Sequence, residues 1–295
     1  WEQDAGDGKT YADTTKESVV DQLESMILLK QHAKDYNVTV SEEEQEEIET
    51  AAKAFTEAND KATLEKLAVT QSDVETLLEL YTYQNRMYEP MTADVDTNVE
   101  DSEAAQSKIT YCKVDISDTL NEDGTTTPIT DEEKQAKKAQ AQAVLDKVKA
   151  SGDVASADMD ALAKEVDENL SAVDTTFGED DSLLDDKVKE AAKTLTDGTL
   201  YGEVVEGESG YYVVRMDSVL DREATDQEKE SIVNQRKQET YSDLLEDWKK
   251  ETKFTVDKKE WKKVKLTDND QYTIKQPETT DSTNEDGETN TEAAE

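Results

Sequence analysis

From Thr15 the apolar positions Val19, Val20, Leu23, Met26, Ile27 and Ala33 recur at three- and four-residue spacing, which predicts an amphipathic helix. SEEE at 41–44 forms a capping box from Ser41 to Glu44 and opens a second helix running towards Asn59. A short helix is expected near 62–68, and a long one from Ser72 that Pro90 should terminate. Residues 1–13, rich in Gly and Asp, read as loop. At KITYCKVDIS, 108–117, the period changes to two. Ile109, Tyr111 and Lys113 fall on one side, and Thr110, Cys112, Val114 and Ile116 on the other, as in a strand with one apolar face.

After the polar NEDGTTTPIT, DEEKQAKKAQAQAVLDKVKASG reads as a charged helix ending at Gly152. MDALAKEVDEN and LLDDKVKEAAKTLTDG give two more helices, the second closed by Gly198. YGEVVE and GYYVVRMDS pair as a hairpin around Glu208–Ser209. A long helix follows over 225–251, with Ile232, Tyr241, Leu244, Leu245 and Trp248 on its stripe, and then the basic, strand-like FTVDKKEWKKVKL. Strand, helices and hairpin in that order predict an α+β unit set between helical flanks. The expected divisions are 1–105 helical, 106–222 α+β, 223–266 a helix and strand returning to the helical part, and 267–295 a disordered acidic tail.

Composition narrows the function classes. With 34% apolar and 36% charged residues, the 295-residue chain is expected to carry modest cores under a wide wet surface. A net charge of −40 excludes a nucleic-acid partner, because nothing here displaces phosphate counterions, and opposes docking on an anionic membrane. No apolar run reaches the roughly 18 residues of a transmembrane span. Cys112 stands alone, so an intramolecular disulfide is impossible. The acidic clusters at 4–8, 121–124 and 179–186 do not match a calcium loop and read as solvated surface, so no metal site is expected. The start at Trp1, without Met or a signal peptide, reads as that of a processed fragment.

ITYCKVDI, LAKEVDEN, VKEAAKTLTDG and VVEGESGYYVVRMDS, in that order, resemble the parvulin-type peptidyl-prolyl cis-trans isomerases. The helical flanks, with VTVSEEE at 38–44 and the long helix after the hairpin, resemble the PrsA/SurA group of extracytoplasmic foldases. The resemblance covers about 15–266. It implies a parvulin domain inserted in an all-helical SurA N-type chaperone domain built from both chain ends. It further implies unfolded secreted proteins and X-Pro segments as partners, and an extracytoplasmic bacterial lipoprotein with its lipid anchor upstream.

The family pairs two histidines on adjacent strands with an acid or cysteine and an apolar proline pocket. Matched residue by residue, the histidine positions fall on Tyr111 and Tyr212, the acid or cysteine on Asn169, and the pocket on Leu184 and Val188. AVDTTFG, 172–178, is the nearest counterpart of the family's Gly-Asp-Leu-Gly turn, and the one histidine, His32, lies on the first helix. Prolyl isomerisation crosses a barrier of about 18–20 kcal/mol without breaking a bond, so it needs no cofactor, metal or nucleophile. A tyrosine hydroxyl, both donor and acceptor, can take over a hydrogen-bonding role but not the size or tautomers of imidazole.

Two readings therefore stand at each position. Tyr111 and Tyr212 are catalytic or are cross-strand packing partners. Asn169 serves the site or a cap, Cys112 is core, and His32 is structural or surface. Tyr81, Tyr83 and Tyr88, with Met87 and Met91, line a client groove or pack between helices. For the whole chain the readings are a foldase with isomerase activity, or a chaperone whose parvulin domain is a non-catalytic peptide-binding module.

Overall fold

In the computed structural model, residues 1–121, 124–266 and 272–274 are described. They divide into two compact units, one of Trp1–Asp94 with the chain from Glu239 onward, the other of Val95–Gln238.

The chain opens with β1 (Asp4–Gly6) and β2 (Lys9–Thr10), where a loop is expected; Gly6, Asp7 and Gly8 take positive φ and close the turn. Thr10 then caps α1 (Tyr11–His32) through a capping box with Asp13, so this helix starts four residues before Thr15. Ser41 and Glu44 make the expected box at the start of α2 (Glu42–Ala58). α3 (Lys61–Leu67) and α4 (Gln71–Met91) follow. Pro90 lies inside the last turn of α4 instead of ending it, and Thr92 caps the end by donating its hydroxyl and its backbone N–H to the Tyr88 carbonyl. Leu29, Ala33, Met87 and Met91 form a buried cluster, joined by Tyr83, Tyr241, Leu244, Leu245 and Trp248. Met87 and Met91 are therefore helix packing, and Tyr88 packs on Tyr241 with ring centroids 5.2 Å apart. His32 stacks on Trp248 at 4.0 Å, a structural place for the one histidine.

The second unit comprises α5 (Asp101–Ala104), β3 (Ser107–Asp115), β4 (Thr119–Leu120), β5 (Thr126–Thr127), α6 (Asp131–Ala150), α7 (Met159–Lys164), β6 (Ala172–Phe177), α8 (Asp186–Ala192), β7 (Val205–Glu206), β8 (Gly210–Ser218) and the first part of α9 (Arg222–Glu251). Its antiparallel sheet has the order β6-β3-β8-β7. Helices lie at both ends of this α+β unit, the arrangement the sequence predicts.

Three expectations are corrected. AVDTTFG is not a turn but β6, paired with β3 from Ser107↔Phe177 to Cys112↔Ala172; Val173, Asp174 and Thr176 are exposed, so an edge strand hid its alternation. β3 has two apolar faces, not one, since it is the second of four strands and is covered on both sides. In 254–266, read as strand-like, Asp257 caps the short helix α10 (Lys258–Trp261), so its one apolar position per turn served a helix. Of the acidic tail expected over 267–295, only 272–274 lie among the described residues, as do 121 and 124 of the NEDG cluster.

Candidate functional site

β3 and β8 run antiparallel with Lys113 opposite Tyr212 and Tyr111 opposite Val214, so these four side chains share one face of the sheet. On that face Ile109, Phe177, Val188, Ala191, Val205, Tyr212, Val214 and Met216 are buried together. The helix covering them, α8, has only seven residues, and Tyr111, Leu184 and Tyr201 pack at the margin as half-buried groups. The opposite face is closed by the longer α6 and by α7, through Val144, Leu145, Val148, Met159 and Ala163. Both faces carry half-buried apolar groups, and those of the short-helix face include the aromatic Tyr111 and Tyr201.

Four of the five candidate residues meet there. The rings of Tyr111 and Tyr212 lie 5.8 Å apart at 55°, and both belong to the cluster that holds Val188 and Leu184. Tyr212 is only 5% exposed, and its hydroxyl is 3.4 Å from Ser209 Oγ. Asn169 is placed elsewhere. It is exposed in the turn after α7, where its backbone N–H and side-chain amide both donate to Asp167 Oδ1, at 2.9 and 3.0 Å. Its neighbour Leu170 packs on the opposite sheet face. The short polar side chain of Asn169 is used to shape a turn.

Sequence reading missed three residues at this site, Lys113, Asp185 and Gly207. Lys113 sits two residues from Tyr111 on the same face and reaches Asp115 Oδ1 at 2.8 Å. Partial burial works against its charge, but the Asp115 hydrogen bond, with Tyr212 and Tyr111 nearby, holds its pKa above the usual lysine value. Asp185 accepts from Lys187 N at 3.0 Å, capping α8, and from Glu208 N at 2.7 Å, tying the helix start to the β7–β8 turn. The signal was legible as an Asp one residue before DKVKEAA. Gly207 lies against both Asp185 and the Tyr212 ring: a β-carbon there would stand 2.7 Å from Tyr212 Cε2.

On the opposite face Arg215 is a buried clamp. Its Nε donates to Asp217 Oδ1 at 2.7 Å, Nη1 to the carbonyls of Val154 and Ala157 at 3.2 and 2.7 Å, and Nη2 to Thr110 Oγ1 at 3.2 Å. Thr110 in turn donates to Asp217 Oδ2 at 2.6 Å. This network fixes the α6–α7 loop to β3 and β8.

Cys112 shares that face and is fully buried; burial, with the Asp160 charge second, pushes its thiol up to about 11. Two outcomes are expected. The thiol of the folded chain will resist alkylation at pH 8, and full denaturation will release one reactive group. From pH 9 to 11 the unfolded chain loses the thiol proton and the folded chain keeps it, so stability should fall by about 2–3 kcal/mol across that window. Urea titrations of the wild type and Cys112→Ala at both pH values will check the slope, which the variant should lack.

Comparison with known proteins adds the family. Residues 115–229 match the family model described as the PPIC-type PPIase domain. The chain carries a PPIC-type peptidyl-prolyl isomerase domain. Its match spans most of the unit with the Tyr111–Tyr212 face, and the function it supports is parvulin-like. Among solved structures, the peptidyl-prolyl isomerase PrsA of Bacillus cereus aligns at 15% identity over 85% of this chain and 89% of its own, with a TM-score of 0.34. The foldase protein PrsA of Streptococcus pneumoniae aligns at 14% over 89% and 98%, with a TM-score of 0.35. A SurA-like chaperone of Campylobacter jejuni aligns at 16% over 85% and 90%, with a TM-score of 0.25. Such values are too low to carry structural detail between chains. No curated protein matches significantly. Among the described residues, no helix is long and apolar enough to cross a membrane.

Proposed function

We propose that the chain is an extracytoplasmic folding factor whose PPIC-type domain receives X-Pro segments of unfolded secreted proteins on the short-helix face and speeds their cis-trans interconversion. The observation that carries this reading is the Tyr111–Tyr212 ring pair set on adjacent strands beside Leu184 and Val188. An apolar floor grips the proline ring and keeps water away, which favours the twisted amide that has lost its resonance. The hydroxyls of Tyr111 and Tyr212 and the ammonium of Lys113 supply hydrogen bonds to the carbonyls that flank the turning bond. An upstream lipid anchor and helical flanks that hold clients belong to the same proposal.

A second reading has its own support. Tyr212 is almost fully buried, as a packing residue is, so the domain would bind peptide without catalysis. A protease-coupled isomerase assay on an X-Pro peptide separates the two. Under the first reading the rate exceeds that of buffer, and Tyr111→Phe and Tyr212→Phe each lower kcat/KM by about tenfold, the worth of one hydrogen bond of about 1.4 kcal/mol. A rate equal to buffer at micromolar protein removes the enzymatic reading and leaves the binding one.

A further inference from the structure

In the unit built from both chain ends, α2, α3 and α4 enclose a groove of about 1420 Å³. Phe55, Leu67, Leu78 and Tyr81 contribute its apolar surface, and Glu43, Glu46, Glu47 and Asp73 stand at its rim. Two further lining residues, Tyr272 and Ile274, come from a segment more than 200 positions later in sequence than α2.

The attachment of that segment is built like a strand pairing. Asn59, in extended conformation just past the end of α2, accepts from Thr273 N through Oδ1 at 2.7 Å and donates from Nδ2 to Thr273 O at 2.9 Å. The second Nδ2 proton goes to the Phe55 carbonyl at 2.8 Å, which fixes the orientation of the carboxamide. One residue thus exchanges both of its backbone hydrogen bonds with a held side chain, as it would in an antiparallel ladder. Such a contact reads the backbone and not the side chain. Selection comes from the positions on either side of Thr273, which project together in an extended chain. Tyr272 packs against Phe55 with ring centroids 6.0 Å apart, and Ile274 also lines the groove. Both remain more than half exposed, at 54% and 65%, so their hold is shallow and reversible.

We propose that this groove is a binding site for an extended peptide with apolar side chains two residues apart, and that Tyr272–Ile274 occupies it as an internal competitor. The acidic rim favours peptides that carry lysine or arginine. The inference rests on the reading above only in taking the competing peptide to be a client; the docking of Tyr272–Ile274 is independent of isomerase activity.

The test uses the full chain and a fluorescent peptide with the sequence of residues 270–276, DQYTIKQ. Anisotropy should show the double variant Tyr272→Ser/Ile274→Ser binding it about tenfold more tightly than the wild type, because the internal competitor has been weakened. Asn59→Ala in that background should abolish the gain. Because Asn59 also caps α2, Leu77→Glu, on a 39% exposed groove residue, provides a second block and should weaken binding equally. Equal affinity in the wild type and the double variant, no binding by either, or binding indifferent to both Asn59→Ala and Leu77→Glu would overturn the proposal. The isomerase rate on a short X-Pro peptide should stay unchanged in every variant, so failure of the groove and failure of the isomerase reading give different results.

Discussion

Arg215→Ala is expected to destabilise the PPIC-type domain by about 3–5 kcal/mol, the loss found when one partner of a buried ion pair is removed. Arg215 is 9% exposed, and its guanidinium makes four hydrogen bonds. Its removal leaves the Asp217 carboxylate without its charge partner and strips the Val154 and Ala157 carbonyls of their donor. Arg215→Lys should recover only part of the loss, since an ammonium cannot span Asp217, Thr110 and the two carbonyls with a planar fork. Alkylation of Cys112 is the readout that isolates this domain, because the thiol is the one cysteine of the chain and is buried on the same sheet face. The urea concentration at which it becomes reactive should fall sharply in Arg215→Ala. An unchanged midpoint would show that the clamp is dispensable.

Gly207→Ala should strike the site itself. The φ of Gly207 is not in the left-handed region, so the backbone accepts alanine, but the new β-carbon collides with the Asp185 carboxylate and the Tyr212 ring. Neither gives way easily: the carboxylate is held by Lys187 N and Glu208 N, and the ring is buried. Overpacking of this kind costs about 1–3 kcal/mol, and under the proposed isomerase reading the displaced ring should reduce kcat/KM by at least about tenfold. Asp185→Ala alone loses a helix cap, worth about 1 kcal/mol. Combined with Gly207→Ala it also removes an obstacle, so the double variant should be less destabilised than the sum of the single ones. Strict additivity would mean that the carboxylate and the new methyl group never meet.

The legible parts of the molecule were those in which a residue acts on its near neighbours in the chain. Capping by Ser41 and Glu44, the long stripe of 225–251, the alternation of 108–115 and the hairpin strand from Gly210 all express forces exerted within a few residues, and each is found close to its expected place. Tyr111 and Tyr212 were singled out by the family resemblance, and alternation on each strand puts their side chains on one face. The role of Asn169 was not legible, because a turn-forming asparagine and a site asparagine look alike until the position of the turn is known. β6 escaped notice because an edge strand with one exposed face carries little apolar signal, and the second apolar face of β3 because covering depends on α6, α7 and α8.

The chain alone determined the α+β order, the net charge of −40 and the apolar side of the strand on which the lone cysteine lies. Only tertiary structure decided which sheet face holds the half-buried Tyr111, Leu184 and Tyr201, because it set the seven-residue α8 over that face and the longer α6 over the other. Tertiary structure likewise turned Arg215 into a clamp, made Gly207 a point of close approach, and brought Tyr272–Ile274 back to Asn59. Each of these joins residues far apart in sequence, and the free energy of such contacts depends on burial and geometry that no local pattern records.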